Sequence, residues 1–456
     1  MLILLYIAII ACVCFQAERG VFDFHSYLCL FYKLKQGDKK IPDKSTKKVL
    51  FILIPALREQ EIIENTVLKF IELKNFYFDI KIAVVTSIRE ISYKRDIDIP
   101  TTEEILTQSI HTGKLSRHKN RIHIFQDQDA QGNMATQLNY AIEKIKTFMG
   151  SDMFYVIYNA DSIVSETTLN KLAELMEQYP DKEFAVQQPC AFVRDMHPNA
   201  NQFTNAMSLY QSWYCLGHES RLVRNYGTRS EKYWGKNKNT KLGVVVGHGS
   251  GMTIKINTDN GGYPTDLLTE DLTFGFIISA NNVPILSLPA LELADVPNHF
   301  TTFIKQKSVW FWNFLGYAKC YQKALKRGHS HFRLIPLFLQ GLGAGAYWFF
   351  DTFFIIIPFM GAIILHSYWV LLFSIASVFI FYIIPQYFLL KKLPAVLRAQ
   401  NFPDYASNVE SISFIKLLPN LFLIILTNSI GAWIATLRAI TYLITGKLPI
   451  KYRTGD

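Results

Sequence analysis

Three long apolar blocks constrain the fold of this chain most. Met1 to Phe15 carry no charge, Leu334 to Leu390 are almost continuously apolar apart from Asp351, and Phe414 to Thr445 form the third block. About 20 helical residues span the hydrocarbon core of a bilayer. Each block is therefore expected to form membrane helix, with the first block at the short limit. Half of the residues are hydrophobic and 14% are aromatic, which also favours a membrane protein.

The basic residues indicate a membrane topology. The net charge of the chain is +10. The Lys and Arg residues cluster beside the apolar blocks, and seven Lys lie in residues 33–48, directly after the first block. By the positive-inside rule this predicts a multi-pass protein of the cell (plasma or inner) membrane, with the following soluble region in the cytoplasm. The positive charge is thus attributed to the orientation of the chain in the membrane, and no nucleic acid partner is expected. A cleaved signal peptide is disfavoured, because no basic residue precedes the first block.

The number of crossings stays open. The second block most simply supplies two helices. If the basic C-terminal tail is cytoplasmic, the total must be odd. The third block then forms a broken hairpin near Asn428 to Gly431 or lies partly in the interface, or else the tail is outside.

The region between the first two blocks alternates strand and helix patterns. VLFILIP from Val49, IKIAVVT, RIHIFQ and MFYVIYN are short apolar runs typical of buried strands, and MATQLNYAIEKI has helical periodicity. This order predicts a mostly parallel, doubly wound α/β sheet. Ligands of such sheets bind at the carboxyl ends of the strands. The polar residues expected there are 55–59, 86–90, 127–133 and 159–162.

Acidic residues follow two of these apolar runs. None of the strand ends carries the P-loop or the dinucleotide fingerprint, which disfavours P-loop NTPases and dinucleotide oxidoreductases. Asn159 and Asp161 in YNADS offer oxygen ligands that suit Mg²⁺ or Mn²⁺ beside phosphates, and an Asx turn is the alternative. Glu270 and Asp271 interrupt an apolar run in TEDLTFGF. Their alternative role is to fill the first turn of a helix capped by Thr269.

The thiols and imidazoles suggest little chemistry by their spacing. The six cysteines form no CxxC pair or zinc spacing, so reduced thiols are expected. His248 in VGHGSG lacks the second nitrogen or sulfur donor that a metal site usually shows, so a hydrogen-bonded loop histidine is expected. Residues 231–241 are expected to form a solvated loop, with a mobile lid as the alternative.

The order of the motifs resembles a known family. IPALREQE, VVTSIRE, GNMATQLNYA, YNADS, GHGSGMTIKI with NGGYP, TEDLTFGF and QKSVW precede a membrane block, as in the family 2 membrane glycosyltransferases. That family has the GT-A fold and includes cellulose, hyaluronan and poly-N-acetylglucosamine synthases. The resemblance covers about Val49 to Trp310 and the membrane layout. It implies a Rossmann-like GT-A domain in the cytosol, inserted between an N-terminal transmembrane helix and a C-terminal α-helical membrane domain.

The implied division of the chain has six parts. They are an N-terminal transmembrane helix (1–16), a basic juxtamembrane linker (17–48), the GT-A domain (49–299), an amphipathic interfacial helix region (300–330), a C-terminal transmembrane region (331–446) and a basic tail (447–456).

The resemblance also implies roles for individual residues. Asp271 would be the general base of an inverting sugar transfer, supported by Glu270, and Asp161 would hold Mg²⁺ or Mn²⁺ against the diphosphate of a nucleotide sugar. Donor contacts are expected from Pro55, Glu59, Thr86, Glu90, Asn159 and Asp161. Acceptor contacts are expected from Gly261, Gly262, Gln306 and Trp310.

The chain departs from the family pattern at four places. Thr86 and Ser87 replace an acidic pair, Asn159 replaces the first Asp of the DxD motif, Asn133 replaces a Lys, and Val309 stands where the Arg of QxxRW would be. The last change weakens the case for processive synthesis, so transfer of one sugar, or a few, to a lipid-linked acceptor is a serious alternative.

The helical stripe around QKSVW has its own alternative. Trp310, Phe314, Tyr317 and Tyr321 are spaced for one helical face. Such a stripe is typical of an anchor helix whose aromatic side chains lie among lipid headgroups. That interpretation is preferred for the stripe, whereas Gln306 and Trp310 are expected beside the catalytic cleft.

The predicted function is a membrane-embedded glycosyltransferase. It would move a sugar from a nucleotide sugar, with UDP the expected carrier, to a polysaccharide or lipid-linked saccharide acceptor, in contact with membrane lipids. Partner subunits are left open. Asn159, Asn133 and Val309 indicate the main alternative, a catalytically weakened scaffold subunit that binds a sugar nucleotide in a polysaccharide synthesis complex. A transporter or channel is the other alternative, indicated by the apolar blocks and Asp351.

Overall fold

A computed structural model describes residues 2–37, 47–94, 99–232, 240–267 and 269–445. The predicted basic tail lies outside the described residues. Residues 38–46 of the basic linker and residues 233–239 of the predicted loop also lie outside them.

A central sheet forms the middle of the chain. Its seven strands have the order β3-β2-β1-β4-β8-β6-β9, and a second sheet has the order β5-β10-β7. The strands are β1 (Lys48–Pro55), β2 (Phe78–Ser87), β3 (Ile122–Asp127), β4 (Phe154–Ile157), β5 (Ile163–Val164), β6 (Ala185–Gln187), β7 (Cys190–Ala191), β8 (Ser250–Thr253), β9 (Ile285–Ser287) and β10 (Glu292–Leu293).

The central sheet is mostly parallel. Strand β1 pairs in parallel with β2 and β4, β2 with β3, and β6 with β9, whereas β8 runs antiparallel to both β4 and β6. The predicted α/β fold class is confirmed, and the four strands expected from the apolar runs are present as β1 to β4.

Helices cover the sheet and form the two ends of the chain. They are α1 (Leu2–Leu34), α2 (Ile63–Ile71), α3 (Arg89–Lys94), α4 (Thr102–Thr112), α5 (Met134–Met149), α6 (Glu166–Gln178), α7 (Gln202–Trp213), α8 (Ser220–Lys232), α9 (Ile254–Asp259), α10 (Asp271–Ala280), α11 (Phe300–Lys326), α12 (His331–Ile364), α13 (Tyr368–Val378), α14 (Ile384–Ala399), α15 (Pro403–Glu410), α16 (Phe414–Thr427) and α17 (Ile430–Thr445). A 3₁₀ helix spans Ser116–Arg121, and π-helical segments span Tyr214–Glu219 and Phe379–Ile383.

The apolar run of β1 is continuous because both faces of the sheet are covered. Ile52 and Ile54 lie in one core cluster with Val67 of α2. Leu53, which points to the other face, lies in a second cluster with Leu138 of α5. Strands buried on both faces carry near-continuous apolar sequences, in contrast to the alternating pattern of half-exposed strands. The carboxyl ends of β1, β2, β3 and β4 therefore open at one edge of a rigid core.

Four helical stretches in the described residues are long and apolar enough to span a membrane. They are Leu2–Leu34, His331–Ile364, Tyr368–Ala399 and Phe414–Thr445. The second apolar block thus forms two helices, as expected. The third apolar block forms two successive helices, α16 and α17, which meet at Asn428 and Ser429.

The first helix is longer than the sequence suggested. It continues past residue 16, where the predicted membrane helix ends, and reaches Leu34. Its polar residues are tolerated because the bundle pairs them: Asp23 is 2% exposed and lies 3.1 Å from Arg221 Nε of α8. Arg19 Nη1 lies 3.7 Å from an oxygen of Asp351 in α12. The sequence missed this continuation because the partners are far away along the chain.

Asp351 is buried at a meeting point of the apolar helices. Its two carboxylate oxygens accept hydrogen bonds from Tyr382 Oη at 3.0 Å and from Asn428 Nδ2 at 2.9 Å. Asn428 lies at the α16–α17 junction, so this carboxylate joins α12 to the end of α16. A buried carboxylate is stable here because hydrogen bonds and the guanidinium of Arg19 compensate for its lost hydration.

The aromatic stripe of α11 packs into the protein. Phe314 and Tyr317 are buried in a core cluster with Trp348 of α12 and Phe276 of α10. The expectation that the stripe faces lipid headgroups is wrong for these two residues, because α12 and α10 cover that side of α11.

Candidate active site

The acidic pair of the TED sequence begins a helix. Helix α10 starts at Asp271, and Glu270 occupies the N-cap position. The alternative that Thr269 caps the helix is wrong by one residue; its carbonyl instead accepts a hydrogen bond from Thr273 Oγ1 at 2.9 Å. Asp271 therefore lies in the first turn, where the helix dipole stabilises a carboxylate.

The carboxylate of Asp271 is held by the backbone. Oδ2 accepts a hydrogen bond from the Gly247 amide at 3.0 Å, and Oδ1 accepts one from the Leu272 amide at 2.7 Å. The residue is partly exposed. These two amide donors fix the orientation of the carboxylate.

The loop that contacts Asp271 is fixed to the sheet. Gln187 at the end of β6 accepts a hydrogen bond from the Val246 amide at 2.7 Å and donates one to the His248 carbonyl at 3.0 Å. Gly249 has φ +63°, and a Cβ there would lie 2.7 Å from Oε2 of Glu292. Only glycine fits this left-handed position, because any side chain would also collide with that carboxylate.

The DxD-like sequence lies directly after β4 and is tied to a buried carboxylate. Ser162 Oγ accepts a hydrogen bond from the Asn159 amide at 3.0 Å and donates one to Glu292 Oε1 at 2.5 Å. The other oxygen of Glu292 pairs with His248 Nδ1 at 2.9 Å. Arg194 donates to the carbonyl of Asp161 at 2.8 Å. Contacts thus run without a break from Asp271, through the loop Gly247–Gly249 and Glu292, to the loop that carries Asp161.

The charges in this region influence one another. Burial alone would lower the pKa of His248, but the carboxylate of Glu292 raises it to about 9. Burial raises the pKa of Asp161, and the charge of Glu292 raises it further while His248 and Arg194 oppose the shift. Burial also raises the pKa of Asp295, to about 7, against the lowering effect of Arg194. The region behind Asp161 is therefore a compact network of opposite charges.

The residues predicted to contact the donor nucleotide lie at the ends of β1 and β2. Pro55 and Glu59 are partly exposed, whereas Thr86 and Glu90 are buried. Glu90 accepts hydrogen bonds from the Arg58 amide at 2.6 Å, the Thr102 amide at 2.7 Å and Thr102 Oγ1 at 3.0 Å. Arg58 has φ +61°, a conformation that non-glycine residues rarely adopt. Glu90 therefore positions the loop that presents Glu59.

This role makes Glu90 a testable support of the loop. Glu90→Gln removes one acceptor oxygen from a buried set of three donors, so we expect the free energy of unfolding to fall by about 1 to 2 kcal/mol. Thermal unfolding of the detergent-solubilised chain measures the change. Glu61→Gln, at an exposed position two residues beyond Glu59, is the matched control. Equal unfolding temperatures of the two variants would contradict a supporting role for Glu90.

The paired glycines lie in a strained turn. Gly261 and Gly262 have φ +79° and +72°, and a Cβ on Gly262 would lie 2.8 Å from Asn139 Oδ1. Asn139 exchanges two hydrogen bonds with the backbone of Tyr263, both at 2.9 Å. Arg327, at the end of α11, donates to the Asn260 carbonyl at 2.6 Å. The turn is thus fixed between α5 and α11, and the acceptor role of its glycines stays a prediction.

A second asparagine of α5 ties down the chain that leads into TED. Asn133 caps α5 by accepting from the Thr136 amide at 3.2 Å, and its Nδ2 donates to the carbonyls of Thr265 and Leu267 at 3.1 and 3.2 Å. The residue that replaces the family's Lys therefore has a structural use in this chain.

Helix α11 presents Gln306 and Trp310 as partly exposed residues and buries Lys307 between them. Lys307 Nζ donates to Gln211 Oε1 at 2.8 Å. Five aromatic rings surround the ammonium, with centroids at 4.7 to 5.7 Å: Tyr210, Tyr214, Phe303, Trp310 and Trp348. Burial lowers the pKa of Lys307 to about 7.

Sequence reasoning missed three residues of this region. Glu292 is a single carboxylate in the apolar run LPALELA, and a lone charge in an apolar pattern is the signal that could have found it. Lys307 lacks this signal, because Lys305 stands two positions before it. Gln187 had no such signal, because its role depends on the course of the loop after residue 245. Pro55, Glu59, Asn159, Asp161 and Asp271 all lie at the edge formed by the strand ends and the N-terminus of α10.

Comparison with models of known protein families identifies the family of this chain. Residues 156–390 match the family model described as glycosyl transferase family group 2. This is more than half of the chain. The chain belongs to this glycosyltransferase family. The match begins within β4 and includes the DxD-like loop, the TED sequence and helices α11 to α13. A search of the curated proteins gave no match.

Solved glycosyltransferase structures are similar at low identity. A mannosyltransferase, PcManGT from Pyrobaculum calidifontis in complex with GDP-Man and Mn²⁺, is 14% identical with a TM-score of 0.41, covering 90% of this chain and 99% of that one. TarS 1–349 of S. aureus with UDP-GlcNAc is 11% identical, with a TM-score of 0.34 and coverages of 88% and 93%. Glucosyl-3-phosphoglycerate synthase of Mycobacterium tuberculosis is 10% identical, with a TM-score of 0.29 and coverages of 57% and 80%.

Proposed function

We propose that this glycosyltransferase is a membrane-embedded, inverting enzyme. It transfers a hexose from a nucleotide sugar, with UDP as the expected carrier, to a polysaccharide or lipid-linked saccharide. The four apolar helices support an anchor in the cell membrane, and the seven Lys of residues 33–48 support a cytoplasmic catalytic domain by the positive-inside rule.

The continuous contact path from Asp271 to the Asp161 loop carries the proposal. A base for the acceptor and a carboxylate for the donor diphosphate must be held at fixed positions on either side of one reacting carbon. The amide of Gly247 fixes Asp271, and the pair formed by its neighbour His248 with Glu292 leads to Ser162 beside Asp161. These contacts join Asp271 to the loop that carries Asp161, which supports a common site for the two carboxylates.

The proposed reaction uses both carboxylates. An acceptor hydroxyl attacks C1 of the sugar, the bond from C1 to the diphosphate oxygen breaks, and the configuration at C1 inverts. The hydroxyl proton passes to the carboxylate of Asp271. Asp161 and the amide oxygen of Asn159 are oxygen donors of the kind that Mg²⁺ or Mn²⁺ prefers, and a cation there would neutralise the charge of the leaving diphosphate. Gln306 and Trp310 would line the acceptor side.

Release of nucleoside diphosphate tests the proposal. The full chain, purified in detergent with native lipids, is incubated with a panel of nucleotide sugars in Mn²⁺, Mg²⁺ or EDTA. We expect release from one donor, dependent on the cation and reduced in Asp161→Asn. Asp152→Asn, at an exposed position before β4, is the control and should behave as the unmodified chain. Release of nucleoside diphosphate that is unchanged by EDTA and by Asp161→Asn would refute the metal role.

A scaffold subunit is the second candidate, favoured by Asn159 in place of a carboxylate and by Val309 in place of the arginine of QxxRW. An amide is a weaker ligand for hard cations than a carboxylate. This candidate predicts nucleotide binding without release from any donor, also when membrane extracts supply acceptors.

A further inference from the structure

Three chemically different side chains converge behind the DxD-like loop. Ligand atoms of Cys190, His248 and Glu292 all lie within 4.8 Å of one another. Cys190 and Glu292 are buried, and His248 is largely covered. They come from β7, the loop before β8, and β10, so the pattern has no signature in the sequence. Cys190 supplies the sulfur donor that His248 lacks among its neighbours in the chain.

The spacing of these atoms suits one transition-metal ion. Zn–S bonds are about 2.3 Å and Zn–N or Zn–O bonds about 2.0 to 2.2 Å, so ligands of one zinc ion lie within about 4.5 Å of one another. A small closing movement would bring the three groups into this range. Thiolate, imidazole and carboxylate together favour Zn²⁺ over Mg²⁺, because Mg²⁺ prefers oxygen ligands throughout.

Space and supporting contacts are also present. A cavity of about 10 Å³ is lined by Cys190, Cys215, Glu219 and His248. About 10 to 15 Å³ is what one water molecule needs. Ser162 donates to Oε1 of Glu292, and such an outer hydrogen bond orients a metal-bound carboxylate. Oε2 pairs with His248 Nδ1 at 2.9 Å, and it would become a metal ligand when the proton between these two atoms leaves. Gly249 gives the carboxylate room, since a Cβ would reach to 2.7 Å from Oε2.

We propose that Cys190, His248 and Glu292 bind a Zn²⁺ ion, with a water molecule in the adjoining cavity as a further ligand. Binding releases the thiol proton of Cys190 and the proton shared by His248 and Glu292. The thiolate and the carboxylate then balance the two positive charges of the ion. The site is additional to the cation expected at Asp161 and uses none of the same side chains.

The zinc content of the purified, tag-free full chain tests the site. We expect about one zinc ion per chain by elemental analysis. Cys190→Ser should lower the affinity for Zn²⁺ at least about tenfold, since loss of even an outer partner commonly costs that much, and should carry less zinc after dialysis against a chelator. Cys320→Ser, at a buried cysteine of α11, is the matched control and should keep the zinc. Equal zinc in both variants would overturn the proposal.

Cobalt gives a readout that depends on neither sugar transfer nor the stability of a variant. Co²⁺ added to the zinc-depleted full chain should give a sulfur-to-cobalt charge-transfer band in the near ultraviolet. The band should be absent in Cys190→Ser and altered in His248→Asn, and present in Cys320→Ser. A chain without zinc and without this band has no thiolate metal site, whether or not it transfers sugar.

Discussion

Asp271→Asn should lower the rate of sugar transfer by about 10² to 10⁴, the range typical for loss of a general base. The amide has nearly the shape of the carboxylate and can still accept the hydrogen bond from the Gly247 amide through its oxygen. It cannot take the proton of an acceptor hydroxyl. The expected loss is therefore in kcat, with the apparent affinity for the nucleotide sugar little changed.

Two variants make this result specific. Asp259→Asn, at the exposed end of α9, changes charge by the same amount away from the cleft and should transfer sugar normally. Glu270→Gln changes the neighbouring carboxylate, and a smaller loss than in Asp271→Asn would assign Glu270 a supporting role. If Asp271→Asn retains transfer within about tenfold of the unmodified chain, another group is the base. Binding of the donor, measured separately, shows whether each variant is folded.

The fold was predictable wherever the sequence pattern is local. The apolar runs that form β1 and β4 are almost entirely buried, and such runs can be recognised in the sequence without knowledge of their neighbours. The order of the motifs around these elements then indicated the family.

The remaining features depend on contacts between distant parts of the chain. The first helix continues through Asp23 because Arg221, which is 198 positions further on, pairs with it. The composition of the first helix therefore does not predict how far the helix extends. Glu90 looked like a candidate donor ligand by position, but the structure shows that it holds the Arg58 and Thr102 amides. The local sequence pattern thus predicted which polar residues follow the strands. Only the packed structure shows which of these residues hold the others in position.

The environment of Lys307 decides whether its charge stabilises the fold. Lys307 is buried against α17, where a Cβ on Gly431 would lie 2.6 Å from the Cβ of Lys307. The aromatic rings and Gln211 favour the ammonium, each ring by about 0.5 to 2 kcal/mol. Burial opposes them and lowers the pKa to about 7, so the loss of hydration outweighs these contacts.

The sign of the pH dependence follows from this depressed pKa. In the unfolded chain a lysine keeps its proton up to about pH 10.4. In the folded chain Lys307 loses it near pH 7. Between these values the unfolded state binds more protons, so the free energy of unfolding contributed by this residue rises with pH. Below pH 7 the buried charge lowers the stability of the fold by its full amount.

Lys307→Met should therefore stabilise the protein at pH 6, by roughly 1 to 4 kcal/mol, as replacement of buried charges by apolar groups often does. The advantage over the unmodified chain should shrink above pH 7, by at most about 1.4 kcal/mol per pH unit. Thermal unfolding of both proteins in detergent from pH 6 to 9 measures this difference. Lys326→Met, at the exposed end of the same helix, should shift stability by no more than about 1 kcal/mol and equally at every pH. The contrary outcome is that Lys307→Met is less stable than the unmodified chain and that the difference in their free energies of unfolding does not vary with pH. In that case the aromatic rings keep the ammonium charged, and the cation at this position contributes to the stability of the fold.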